Sequence, residues 1–392
     1  MTGLSTAHNR RRWHLPAMVP RDRHEPGRTA TVLELFFDLV FVITVAINGS
    51  QLHHALTEGH LSHGLLSFAI CFFGTWWAWM NFTWFASAFD TDDWFYRLLT
   101  FNQMAGVMVF AVGIEPAYTS GDFRIVIAGY VIMRLSMVVQ WWRASQCGGD
   151  AGRGAKTYAI GIACVQMLWI LWTFLPAGSL TNALLGVLIF AEILVPTIAE
   201  RRGATSWHMH HIAERYGLFT IILLGESLLA SVNALVDARE HGDHLLPLGV
   251  FALTALGITA ALWWWYFWTP HHKAMHTLGS IFFFGYVHYF VFGAAAMLSA
   301  GMEANIDVLT GNSALTSRQA VLTVAMPIAV FLLGIVATSI RQAGQPTVLI
   351  TTIAVAVIVV LLGLFGAPLW TLPILLFACI PVLIRNPAPE DQ

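Results

Sequence analysis

Apolar stretches of about twenty residues recur along the whole sequence, and this recurrence limits what the chain can fold into. The stretches lie near residues 32–54, 65–87, 98–115, 123–142, 157–176, 180–200, 207–235, 246–268, 277–301, 319–340, 347–366 and 368–385. A helix of about 20 apolar residues crosses the ~30 Å hydrocarbon core of a bilayer. The sequence therefore predicts an all-α integral membrane protein with about twelve transmembrane helices.

The composition excludes an ordinary water-soluble fold. Of the 392 residues, 57% are hydrophobic and only 11% are charged. Soluble domains carry about 25% charged residues, and a soluble fold of this size could not bury so much apolar side chain. The apolar side chains that cannot be buried are expected to face lipid. The lipid bilayer is thus a predicted partner, and nucleic acid is not expected to bind.

The last two stretches are separated by a proposed turn at Gly366 and Pro368. They could each cross the membrane, or they could form one crossing and one re-entrant segment. Eleven or ten crossings are therefore alternatives to twelve.

The distribution of basic residues predicts the orientation, because cytoplasmic loops are rich in Lys and Arg. With the N-terminus inside, the inner segments hold 15 of the 20 basic residues. The outer loops hold three, Arg124, Arg239 and Arg318, and the spans hold Arg134 and Arg215. This division favours twelve crossings with both termini cytoplasmic, in the cell inner (plasma) membrane.

Three regions are expected along the chain. Residues 1–30 are predicted to form a disordered basic cytoplasmic tail, residues 31–386 a polytopic helical domain, and residues 387–392 a short C-terminal tail. The run Arg10-Arg11-Arg12 is interpreted as a topology determinant, with contact to anionic lipid as the alternative. The four cysteines have no spacing typical of disulfides or zinc.

An internal repeat is a further hypothesis. Trp76-Trp77-Ala78-Trp79 in the second stretch and Trp263-Trp264-Trp265-Tyr266 in the eighth occupy equivalent positions if the chain consists of two six-helix halves. Some transporters are built in this way. Aromatic belts at the membrane interface would produce the same clusters, so both interpretations stay open.

Ionisable residues inside a bilayer cost several kcal/mol unless they are paired or hydrated, so they are functional candidates. Glu34 and Asp38 in the first stretch are four residues apart and share one helical face, and Asn48 returns to nearly the same face. Two carboxylates so close together resist joint ionisation unless a cation is nearby. These residues predict a buried polar site on the first helix.

The seventh stretch supplies that cation. Glu214 and Arg215 lie near its cytoplasmic start, at a depth similar to that of Glu34 and Asp38, and Glu226 follows about three turns later. We expect Arg215 to pair with Asp38 or Glu34. These five charged residues are the candidates for proton or ion transfer or for acid–base chemistry.

Other polar residues fall near the middle of predicted spans. An Arg134–Glu192 pair would clamp two helices, and His288 could relay a proton near neutral pH. Asn48, Arg134 and Glu192 are candidate substrate-binding residues. Satisfied structural contacts are the alternative for each of them.

A metal-binding site is a further hypothesis, and it involves His210, His211 and Glu214. His210 and Glu214 have the i, i+4 spacing of a divalent metal site on a helix. Histidines at helix ends usually only contact water, which is the simpler interpretation. The sequence contains no P-loop, nucleophile elbow, HExxH or dinucleotide-binding motif, so no cofactor is expected.

Two segments resemble a known family. Glu34-Leu35-Phe36-Phe37-Asp38-Leu39-Val40-Phe41-Val42 is similar to the opening signature of the bacterial low temperature requirement protein A family. The segment from His211 to Phe219, continuing through Leu224-Gly225-Glu226-Ser227, is a second match, and His288-Tyr289-Phe290-Val291-Phe292 followed by Glu303 is a looser third. The resemblance implies a polytopic membrane protein, extends from about residue 30 to the end, and implies no reaction.

The charges inside the spans favour proton- or cation-linked transport of an unidentified solute. One alternative is a membrane-embedded enzyme that uses a buried carboxylic acid on an isoprenoid or other lipid-like substrate, with its 13% aromatic residues stabilising cations. A structural or stress-related role is the third. The expected partner is accordingly a small solute, an ion or a lipid-like molecule, and the oligomeric state is not predicted.

Overall fold

The computed structural model describes residues 15–241 and 245–388, and within these ranges the chain forms helices and no strands. Long apolar runs account for the helices, and Gly59, Gly121, Gly311 and Gly366, which have positive φ, lie in the connections between them. The helices are α1 (Val32–Thr57), α2 (Leu61–Phe89), α3 (Trp94–Thr119), α4 (Arg124–Ala144), α5 (Gly149–Trp172), α6 (Ser179–Arg202), α7 (Met209–His241), α8 (Leu245–Phe267), α9 (Leu278–Thr310), α10 (Ser317–Ile335), α11 (Pro346–Leu364) and α12 (Thr371–Arg385).

The described helices confirm the predicted all-α membrane protein. Eleven of them are long and apolar enough to cross a membrane. The twelfth, α12, has 15 residues, which at 1.5 Å per residue span only about 22 Å. Helix α7 continues to His241, so Arg239 belongs to a helix and not to the outer loop expected from the sequence. The inner-membrane location and the orientation of the termini stay predictions.

The chain forms two compact units, and α1, α2, α3 and α7 contribute residues to both. Of the described residues, the first unit comprises 15–37, 78–113 and 123–211. Within it α4, α5 and α6 pack in sequence as antiparallel neighbours. Glycine permits the closest approach, because a Cβ atom on Gly154 would lie 2.0 Å from the carbonyl oxygen of Gly203.

Of the described residues, the second unit comprises 38–77, 114–122, 212–241 and 245–388. Within it α9 packs against α10. A Cβ atom on Gly301 would lie 2.5 Å from the carbonyl oxygen of Thr323, so glycine allows these two helices to approach closely. A turn of π-helix, Val336–Ile340, follows α10. The hypothesis of two six-helix halves stays a prediction.

The segment before α1 differs from the prediction. The disordered tail expected over residues 1–30 includes residues from Leu15 onward that are ordered. Met18 is 2% exposed, the Arg21 amide donates to the carbonyl oxygen of Ala88 at 2.8 Å, and Arg28 Nη2 donates to that of Ala86 at 2.8 Å. Contacts with α2 therefore hold this segment. Arg10, Arg11 and Arg12 lie outside the described residues.

Candidate functional site

Arg215 of α7 pairs with Asp38 of α1, as the sequence predicts. Arg215 Nε donates to Asp38 Oδ2 at 3.1 Å and Nη2 donates to Oδ1 at 2.5 Å. Both side chains are 0% exposed. A two-point guanidinium–carboxylate pair satisfies both groups in a dry environment. The two opposite charges therefore compensate one another inside the second unit.

Glu34 of α1 has partners within the first unit. Its Oε1 lies 3.1 Å from His211 Nε2, and its Oε2 accepts a hydrogen bond from the Thr31 amide at 2.8 Å. The Glu34 and His211 side chains are both almost fully buried. Glu34 thus contacts His211 and the backbone just before α1.

The predicted Arg134–Glu192 pair also forms. Arg134 Nη2 donates to Glu192 Oε2 at 2.9 Å, and the other carboxylate oxygen accepts from Gln166 Nε2 at 2.7 Å and from Trp169 Nε1 at 3.2 Å. The Arg134 guanidinium also lies 5.8 Å from the centre of the Tyr130 ring. These contacts join α4, α5 and α6 in the core of the first unit. The substrate-binding role of Arg134 and Glu192 stays a prediction.

His288 is fully buried in the second unit and lies in a hydrogen-bonded arrangement. Its Nδ1 lies 2.7 Å from the carbonyl oxygen of Phe284, and its Nε2 lies 3.1 Å from the Tyr266 hydroxyl. A carbonyl oxygen only accepts, so we assign the hydrogen to Nδ1, and Nε2 then accepts from Tyr266. In this neutral tautomer both ring nitrogens of His288 have a hydrogen-bond partner. Proton relay through His288 stays a prediction.

His271 lies in the loop between α8 and α9, beside the same tyrosine. The Tyr266 and His271 ring centres are 4.3 Å apart, and His271 Nδ1 lies 2.6 Å from Ser339 Oγ in the π-helical turn. Burial, together with the nearby His272, lowers the pKa of His271 to about 4. His271 is therefore neutral at physiological pH.

Asn48 forms hydrogen bonds within the second unit. Its Oδ1 accepts from the Tyr118 hydroxyl at 2.9 Å, and its Nδ2 donates to the carbonyl oxygen of Phe68 at 3.3 Å. The predicted substrate-binding residue thus joins segments of α1, α2 and α3, and its binding role stays a prediction.

The structure gives no geometric support to the metal hypothesis. His210 is exposed, whereas His211 is buried against Glu34. Among the described residues, no group of three or more His, Cys, Asp or Glu side chains is arranged to hold a metal ion. Glu214 is half-buried.

A cluster that the sequence did not single out lies in the second unit. His53, near the end of α1, places Nδ1 3.0 Å from Glu303 Oε2 and Nε2 2.7 Å from Asp307 Oδ2. The three side chains are 13%, 28% and 27% exposed. Glu226 of α7 is half-buried, and its carboxylate is close enough to that of Glu303 for electrostatic repulsion. We call His53, Glu303 and Asp307 the histidine–carboxylate triad.

Some of this cluster is visible in the sequence. Glu303 and Asp307 have i, i+4 spacing and therefore share one face of α9. Nothing in one sequence states that α9 lies beside α1, so His53 was not recognised as their partner.

An apolar groove of about 830 Å³ also belongs to the second unit. Aliphatic and aromatic side chains from α1, α2, α9 and α10 form most of its lining, including Leu56, Phe72, Phe290 and Met326. Its lining contains no Asp, Glu, His, Lys or Arg. Asp38, Arg215 and Glu226 are thus not among its lining residues.

The fold and these buried charges define a polytopic helical membrane protein. The family model described as the bacterial low temperature requirement A protein matches residues 29–384. The chain therefore belongs to this family, as its motifs suggested.

One curated relative matches part of the chain. The chain is 31% identical over 214 residues to the uncharacterized protein RA0937 of Rhizobium meliloti (strain 1021), and the match covers 51% of this chain and 50% of the relative. The chain thus aligns with about half the length of that relative. No solved structure matches the chain.

Proposed function

We propose that this protein transports an unidentified small solute in exchange for, or together with, protons, and that the histidine–carboxylate triad is its proton-binding site. The observation that carries this proposal is that both ring nitrogens of His53 face carboxylate oxygens. A neutral imidazole has only one N–H. The triad therefore holds an additional proton, either on the second ring nitrogen or on one carboxyl group.

This proton can be exchanged. The three side chains are partly exposed and lie towards the ends of α1 and α9, so we expect water to reach them, and histidine titrates near neutral pH. With an imidazolium the triad carries one net negative charge, and after proton loss it carries two. Binding or release of a cationic solute would shift this equilibrium.

Glu226 extends the site along α7. Its negative charge repels that of Glu303, so protonation of either carboxylate favours ionisation of the other. A proton that arrives at the triad can thus be exchanged for one on Glu226 without a large change in total charge. Intramembrane carboxylates in such relays are typical of pumps and transporters.

Charge movement in proteoliposomes tests the proposal. A panel of cationic, zwitterionic and anionic solutes is applied under an imposed pH gradient, and the current is recorded. We expect at least one class to produce a pH-dependent current that Glu303→Gln removes. Glu115→Gln is the matched control, because Glu115 is an exposed glutamate near the end of α3. A solute panel that produces neither a current nor a change in luminal pH, or a response unchanged in Glu303→Gln, would contradict the proposal.

The apolar groove favours a second candidate, an enzyme that acts on a lipid-like substrate. Its volume and lining suit a hydrocarbon chain. However, its lining supplies no acidic side chain, so acid-initiated chemistry would require a carboxyl group from elsewhere. Incubation with labelled polyprenyl diphosphates tests this candidate, and recovery of only starting material would count against it.

A further inference from the structure

A second groove, of about 540 Å³, lies in the first unit where α5 begins and α6 ends. Its rim carries three basic side chains, Arg153, Lys156 and Arg202, and its wall includes Ile160 and Ile198. None of the candidate transport residues and none of the triad residues lines this groove. The groove therefore combines positive charge with apolar surface at one end of two membrane-spanning helices.

The positive charge of this groove is only partly neutralised. Arg153 forms an ion pair with Asp150. Within the described part of the chain, neither Lys156 nor Arg202 forms an ion pair. Two cationic side chains from two different helices thus face the same cleft without a carboxylate, which favours an anionic ligand.

The apolar part of the groove favours a ligand with a hydrocarbon portion. Ile160 is 50% exposed and Ile198 is 46% exposed. Lys156 and Ile160 are one helical turn apart, about 6 Å along α5. The charged rim and the apolar wall therefore follow one another along the helix, as a headgroup and its acyl chains do along the bilayer normal.

Close helix packing gives this cleft a defined shape. A Cβ atom on Gly161 would lie 2.9 Å from Val195 Cγ1, so glycine lets α6 approach α5 below the rim. Gly154 and Gly203 meet even more closely, as described above. The basic side chains are thus carried by two helices with little freedom to separate.

We propose that this groove binds one anionic phospholipid, with its phosphate between Lys156 and Arg202 and its acyl chains along Ile160 and Ile198. Basic pockets between transmembrane helices bind lipid headgroups in this manner. A soluble phosphate compound would use the rim but not the exposed isoleucines. The observations therefore favour a lipid over a free anion.

Native mass spectrometry of the detergent-solubilised protein tests the site with phosphatidylglycerol and phosphatidylcholine offered in equal amounts. We expect one retained phosphatidylglycerol, and roughly tenfold weaker retention in the double variant Lys156→Gln/Arg202→Gln. The matched control is Arg341→Gln/Arg385→Gln, which removes two exposed basic residues that do not line the groove. All four side chains are exposed, so both variants should melt near the wild-type temperature.

Three results would overturn the proposal. The first is equal retention of the two lipids by the wild type. The second is unchanged phosphatidylglycerol retention in Lys156→Gln/Arg202→Gln. The third is complete displacement of the lipid by millimolar inorganic phosphate, which would show a site for a free anion.

Discussion

The Asp38 carboxylate accepts two hydrogen bonds from the Arg215 guanidinium, and neither side chain is exposed. The two charges neutralise one another where water does not reach them. Such a pair is weak support for stability by itself, but the loss of one partner leaves a charge buried and uncompensated. The pair therefore constrains which substitutions the second unit tolerates.

Asp38→Asn should destabilise the protein more than most single substitutions do. It removes the negative charge that accepts two hydrogen bonds from Arg215, and breaking a buried ion pair in this way costs about 3–5 kcal/mol. We expect a large fall in the thermal unfolding temperature in detergent. The matched control is Glu226→Gln. Because Glu226 is half-buried, the unfolding temperature of this variant should fall much less. An Asp38→Asn protein that melts with the wild type would contradict this role for the pair.

The Arg134–Glu192 pair should show strong energetic coupling. Glu192 accepts hydrogen bonds from Arg134, Gln166 and Trp169, so either single substitution leaves buried groups unsatisfied. In a cycle of Arg134→Gln, Glu192→Gln and the double variant, we expect a coupling of about 1–3 kcal/mol in the free energy of unfolding. Strictly additive effects would show that the two side chains act independently.

Stability should fall in mild acid because of His271. Burial lowers its pKa to about 4 in the folded protein, whereas an unfolded histidine has a pKa near 6.5. The unfolded state therefore binds a proton first as the pH falls. The stabilising contribution is complete above pH ~6.5 and is lost progressively as the pH falls towards about 4.

Chemical denaturation between pH 7 and pH 4 measures this effect. His271→Asn retains a donor near Ser339 and removes the titrating ring, so its stability should vary less with pH than that of the wild type. The control is His276→Asn, because His276 is exposed. If His271→Asn and the wild type lose stability in parallel, another group is responsible.

The sequence predicted the buried pairs better than it predicted the triad, for a physical reason. Arg215 and Asp38 were expected to meet because both helices start on the same side, so residue counts gave their depths. An unpaired charge in lipid also costs enough to make pairing the favoured expectation. The same reasoning could not choose between Asp38 and Glu34, because one helical turn separates them.

His53 required information that hydropathy does not contain. Its partners lie on α9, about 250 residues further along the chain, and helix adjacency depends on side-chain packing throughout the second unit. The ordered segment from Leu15 to Thr31 escaped prediction for a similar reason. Its polar composition is typical of a flexible tail, and its order comes from contacts with α2.

Proton flux into proteoliposomes tests the central claim most directly. Purified protein is reconstituted with a pH-sensitive dye inside, the same panel of solutes is added in turn, and a potassium diffusion potential drives protons inward. We predict a flux in the wild type that His53→Gln lowers at least tenfold, since glutamine cannot carry the additional proton of the triad. The control is His60→Gln, because the His60 side chain is 68% exposed and lies 3.7 Å from Glu58. A flux that persists in His53→Gln, or no flux in the wild type under any gradient, would contradict proton-linked transport through this site.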